Sequence, residues 1–226
     1  MTGDVLVFEA HSDDAAIGMG GTIKHLSDRG VDVTVCTVTR GETASGDRSE
    51  GETISIRIEE GKRADEIMGV KKHLFWGVPC QGVTNDKSTF HAFVKLIREI
   101  RPGWIFTHGP HEWHRDHKTI SALTDEAWWK ASERNVLPIL GEPFRARALH
   151  YYEVLPMFPW NPDTCLDVSS CWNAKKEAVA CFTSQAETMG GFDGLVDGKG
   201  MYRGFLIGAA RAEAFTSSRF MPRGGF

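Results

Sequence analysis

The chain has 226 residues and a mass of 25.1 kDa, with 41% hydrophobic and 25% charged side chains, the size of one large domain with a substantial core. Its 26 basic and 30 acidic side chains leave a net charge of −4, which offers no basic footprint for nucleic acid or an anionic membrane surface. No apolar run approaches the roughly 18 residues of a membrane span, and the opening MTGDVLVFEAHSDD has no basic leader, so the expected location is the cytoplasm. Five cysteines without a CxxC pair read as mostly buried thiols in a reducing compartment rather than a disulfide framework or zinc knuckle. The nine histidines stand out, because His108, His111, His114 and His117 fall within ten residues.

In chain order, Val5 to Ala10 is a short apolar run that reads as a parallel strand buried on both faces. A helix follows, capped by Asp13 or Asp14, with Ile17, Ile23 and Leu26 as its apolar stripe and an end near Asp28 and Gly30. Gly18, Gly20 and Gly21 come one turn too late for a dinucleotide fingerprint and read instead as close packing against the sheet. Val31 to Val38 is a second strand, which makes a right-handed βαβ opening.

Thr39 to Ser55 is polar and reads as a long loop at the exit of that strand, its part from Thr43 either a lid or ordinary solvated chain. Ile56 to Met68 is a charged helix that Gly69 closes. His73 to Trp76 is a short strand, and Phe90 to Ile100 is an amphipathic helix stopped by Arg101-Pro102-Gly103. Trp104 to Thr107 is another buried strand, His117 to Lys130 a helix, and Ala148 to Val154 a further strand. This alternation predicts an α/β fold, a Rossmann-like and mostly parallel sheet with helices on both faces, with residues 1–226 forming a single domain and 219–226 a disordered tail or a subunit contact.

Ligands of such sheets bind beyond the carboxyl ends of the strands. Two segments put chemistry there: His11-Ser12-Asp13-Asp14 after the first strand, and His108 to His117 after the Trp104 strand. Together they supply what a catalytic zinc needs, three nitrogen or oxygen ligands and an open position. His11 with Asp14, and His114 with His117, are spaced to share one side of a helical turn.

HSDDAAIGMGGTI resembles the AHPDDxxxGxGGT signature of the PIG-L or LmbE-like deacetylases, and HRDH resembles their HPDH, with Ser12 and Arg115 replacing prolines. Thr39, Gly41 and Glu42, the pair Arg57 and Glu60, Lys175, Ser184-Gln185 and Ala212 to Phe215 are similar to further landmarks of that family. The resemblance implies a zinc-dependent amidase, another divalent metal being possible, that removes an acetyl group from an N-acetylglucosamine-type sugar or conjugate. It implies His11, Asp14 and His117 as metal ligands, Asp13 as general base, His114 as electrostatic partner or general acid, and Asp116 as the carboxylate that orients a histidine. Arg57 matches a position that contacts substrate, and Glu112 stands near a tyrosine that some members use for the oxyanion. Trp113 is the expected sugar-stacking ring, and His111 with His108 either lines the pocket or is an ordinary loop histidine. The implied assembly is a homo-oligomer, a trimer or hexamer. The alternatives are a metal-dependent amidase on a thiol-sugar conjugate or antibiotic intermediate, and a nucleotide- or sugar-binding α/β module without catalysis.

Overall fold

The computed structural model describes residues 3–45, 47–135, 138–155 and 161–218, so the tail expected at 219–226 lies outside the described residues. The elements run β1 (Val5–Glu9), α1 (Asp14–Ser27), β2 (Val33–Thr39), α2 (Glu50–Met68), β3 (Lys72–Val78), α3 (Lys87–Ile100), β4 (Trp104–His108) and α4 (Arg115–Ala131). They continue as β5 (Ala148–Tyr152), β6 (Thr164–Asp167), α5 (Trp172–Ala180), α6 (Thr183–Met189), α7 (Asp193–Ile207) and β7 (Ala212–Ser217). One sheet takes all the strands in the order β3-β2-β1-β4-β5-β7-β6. The first five are parallel, and β7 runs antiparallel to both β5 and β6.

The apolar runs are continuous because both faces of the central strands are covered. Val5, Val7, Val33 and Val35 pack with α1, with Ala64 and Met68 of α2, and with Ala178 and Val179 of α5. Leu6, Phe8, Cys36 and Ile105 point the other way, into Phe93 and Ile97 of α3 and Ile120, Leu123 and Trp128 of α4. Two of the five free cysteines, Cys36 and Cys171, are buried, while Cys80, Cys165 and Cys181 are half-buried, more open than expected.

The loop after β2 is shorter than its composition suggests. Ser49 accepts from the Glu52 amide and Glu52 returns a bond to the Ser49 amide, a capping box that starts α2 at Glu50, six residues ahead of the apolar signal. What is left holds a single turn over Glu42–Ala44.

The glycines of α1 mark a break. Met19 leaves helical geometry at φ −146° and ψ 23°, and a Cβ on Gly18 would lie 2.5 Å from the Tyr152 ring. Backbone groups freed at a break need new partners. Glu213 accepts from the Gly21 amide at 2.9 Å and from the Thr22 amide and hydroxyl at 2.6 Å, while Lys175 donates to the Ile17 carbonyl at 2.9 Å and pairs with Glu213. The Lys175 and Glu213 landmarks are thereby one buried ion pair that repairs a bent helix.

Candidate metal centre and cavity

The strand order reverses between β1 and β4, which lie side by side with Val5 opposite Trp104 and Val7 opposite Phe106. Chain leaves this switch point on both sides, and the crevice it opens is where an α/β sheet receives its ligand. From β1 comes the turn 11–14, closed by the Asp14 amide bonding the His11 carbonyl at 3.1 Å and fastened below by Glu9, which accepts from the Ala15 amide at 2.8 Å. From β4 comes the loop to α4, whose N-cap is His114: its Nδ1 accepts from the Asp116 amide at 3.2 Å, which leaves the ring proton on Nε2. His117 lies in the first turn beyond.

Three side-chain atoms converge. His11 Nδ1 is 3.3 Å from Asp14 Oδ2, His117 Nε2 is 3.3 Å from the same oxygen, and the two nitrogens are 3.3 Å apart. A tetrahedral ion with bonds of about 2.0–2.1 Å sets its ligand atoms about 3.3–3.4 Å from one another. The donor set, two imidazoles and a carboxylate, therefore fits a divalent cation in both chemistry and spacing. Burial opposes charge on all three, yet the Asp14 carboxylate outweighs it, holding His117 up at about 9 and His11 well above its ordinary value. Burial would raise Asp14, but His117 and His11 beside it hold it well below the usual carboxylate range. A cation that takes these atoms displaces protons.

Asp13, one residue earlier, points elsewhere. Its side chain makes no capping bond to α1; Oδ1 accepts from Arg57 Nη2 at 2.7 Å, with Asp13 5% and Arg57 3% exposed. Beside this pair lies a cavity of about 280 Å³ lined by His11, Asp13, Asp14, Arg57, His114 and His117, with an apolar wall of Ile17, Val154, Leu155 and Phe192.

The other expected residues are distributed around this core. Asp116 is fully buried, takes a 2.7 Å bond from the Gln81 amide, and sits 3.8 Å from both His11 Nε2 and His114 Nδ1. Glu112 is 4% exposed and stands 3.5 Å from His117 Nδ1, behind the ring rather than among the cavity-lining residues. Trp113 is 78% exposed and His111 is exposed; neither lines the cavity. The cavity also takes Thr43, Cys80, Gln185 and Thr188, which residue chemistry did not single out. Gln185 carried a signal, the Ser184-Gln185 landmark. Buried Glu60, one turn beyond Arg57, accepts from Thr183 Oγ1 and from the Ser184 amide and hydroxyl at 2.7–3.0 Å, and so anchors the start of α6 that brings Gln185 to the wall.

Fold and site together define an α/β protein with a candidate single-metal centre at the switch point of its sheet. The chain belongs to the PIG-L family, whose model, described as GlcNAc-PI de-N-acetylase, matches residues 6–128. Diacetylchitobiose deacetylase of Thermococcus kodakarensis is 34% identical over 190 residues, 80% of this chain and 69% of that protein. 4-Oxalmesaconate hydratase of Pseudomonas putida is 29% identical over 195 residues, 80% and 73% of the two chains. Among solved structures, N,N'-diacetylchitobiose deacetylase from Pyrococcus horikoshii with its inhibitor superposes with a TM-score of 0.89 over 97% of this chain and 85% of its own, at 24% identity, a likeness of fold.

Proposed function

We propose that this chain is a zinc-dependent N-deacetylase that releases acetate from the amide nitrogen of a small N-acetylglucosamine-type sugar. The observation that carries the reading is the 3.3 Å triangle of His11, Asp14 and His117 with the Arg57-bound carboxylate of Asp13 beside it on the same cavity. The named deacetylases among the relatives support it.

His11, Asp14 and His117 would hold a divalent cation, which when bound would supply Lewis acidity, enough to lower the pKa of a water from about 15.7 toward roughly 7. Asp13 accepts the proton of the attacking water: the bond from Arg57 fixes Oδ1, which leaves Oδ2 for that proton. His114 faces the cavity with its Nδ1 engaged by the Asp116 amide, so its Nε2–H hydrogen-bonds the developing oxyanion, and the proton that Asp13 took from the water passes to the leaving amine. Asp116 and Glu112 orient the imidazoles of His11 and His117 from behind. The apolar wall excludes water around the acyl group, Arg57 contacts the sugar with its remaining N–H groups, and Trp113 with His111 meets whatever extends from the cavity mouth. The enzyme works in the cytoplasm as a homo-oligomer of a single-domain chain; among the described residues no helix is long and apolar enough to cross a membrane.

The test is a panel. Zinc-loaded protein is offered N-acetylglucosamine, N,N'-diacetylchitobiose, a thiol-sugar conjugate and an N-acylated glycopeptide, with detection of free amine. Amine release from the small sugars is expected. Inertness toward every amide together with hydration of an unsaturated dicarboxylate would replace this reading with that of the hydratase relative.

A further inference from the structure

His108 ends β4 at the switch point, fully buried, and its ring nitrogens have different surroundings. Nε2 accepts the amide hydrogen of Ala10, the residue before His11, at 2.9 Å. The lone pair is committed to that bond, and the ring proton sits on Nδ1. The same Nε2 lies 3.5 Å from Asp14 Oδ2. The ring stacks on His117 with centroids 3.9 Å apart and planes inclined by 14°. Tyr152 closes the remaining side, donating to the Phe8 carbonyl at 2.9 Å with its oxygen 3.4 Å from Nε2. One imidazole thus holds the backbone of the β1 arm by a hydrogen bond and the His117 ring of the α4 arm by its face.

By distance alone His108 is a candidate ligand with Asp14 and His117. The hydrogen bond argues otherwise: a nitrogen that receives the Ala10 N–H has no second lone pair for a cation. Nδ1 carries the proton and has no partner among the described residues. We propose that His108 is a positioning residue and not a ligand, setting His117 against the His11 turn so that the three donor atoms keep their spacing. This rests on the reading of His11, Asp14 and His117 as the metal centre.

Two variants of the full chain test it. His108→Phe keeps a flat ring against His117 and loses the acceptor; His108→Gln keeps an acceptor and loses the ring. Circular dichroism establishes folding, chelator competition gives the zinc affinity, and the visible spectrum of the cobalt-loaded protein reports the ligand set. The expected result is unchanged cobalt bands in both variants with zinc affinity 10- to 100-fold lower in His108→Phe, the range seen when groups behind a ligand are removed, and a smaller loss in His108→Gln. Shifted cobalt bands would show that a ligand was lost and overturn the proposal, as would wild-type affinity in both variants. If His108→Phe does not fold, His108→Gln is read by the same two criteria. His11→Ala serves as the control: wild-type affinity there dismisses the metal centre itself, a result distinct from either failure of His108.

Discussion

Arg57 donates from Nη2 to Asp13 Oδ1 at 2.7 Å, and both side chains are almost wholly out of solvent. The pair joins the middle of α2 to the turn between β1 and α1. A buried ion pair adds little over an apolar replacement, but removing one partner strands the other and costs about 3–5 kcal/mol. Arg57→Met is therefore expected to lower the thermal midpoint clearly, and Arg57→Met with Asp13→Asn to recover most of the loss. Unfolding curves of the two single variants and the double one decide this; a double variant as unstable as the two losses added together would show that the residues are not coupled.

Asp13→Asn keeps the shape and a polar partner for Arg57 while removing the proposed proton acceptor. Zinc content by elemental analysis is expected to stay near one per chain while kcat falls about 10²- to 10⁴-fold, the usual share of a general base. Near-normal turnover would take Asp13 out of that role.

His11→Ala removes one corner of the triangle. Loss of zinc through gel filtration is expected, with activity not restored by stoichiometric metal. For the unaltered chain, dialysis against a chelator abolishes turnover and added zinc restores it. Turnover that survives complete removal of metal would contradict a metal-dependent reaction.

Away from the cavity, a chain of buried titratable groups runs under α1. His73 bonds Asp65 through Nδ1 at 2.6 Å and Thr37 through Nε2 at 2.6 Å, and Nε2 is 3.5 Å from Glu9. Burial disfavours its charge, but Asp65 and Glu9 overcome this and hold it at about 9, above the ordinary 6.5. A pKa raised by folding contributes stability that is complete below 6.5 and disappears as pH rises through about 9. The thermal midpoint is expected to fall by several degrees over that interval, and the decline is expected to flatten in His73→Gln. The same slope in both proteins would remove His73 as its origin.

Glu60→Gln tests the anchor of α6. The carboxylate takes three bonds from Thr183 and Ser184, and bonds to a charged group are worth about 1.5–3 kcal/mol each. A higher KM for the sugar with a smaller change in kcat is expected, because Gln185 leaves the wall while the reacting groups stay. Equal falls in kcat and kcat/KM would place the effect on the chemistry instead.

Much of this molecule can be read from neighbouring residues alone. The runs VLVFE and WIFTH, the left-handed Gly69 and the Arg101-Pro102-Gly103 stop encode their elements locally, and the two histidine-aspartate segments announce themselves because few structural tasks need that chemistry directly after a buried strand. The start of α2 was also written locally, in Ser49 and Glu52, but the polar composition around them resembled a loop. What only tertiary structure decided is adjacency. His11 and His117 meet across 106 residues because β1 and β4 are neighbours. That order follows from burying both faces of the sheet at once, a condition spread over the whole chain. The same holds for Arg57 turning to Asp13, Glu60 reaching α6, and Lys175 with Glu213 closing the break in α1. Each is a buried charge or carboxylate whose partner is supplied by a distant segment, and no local pattern records which one.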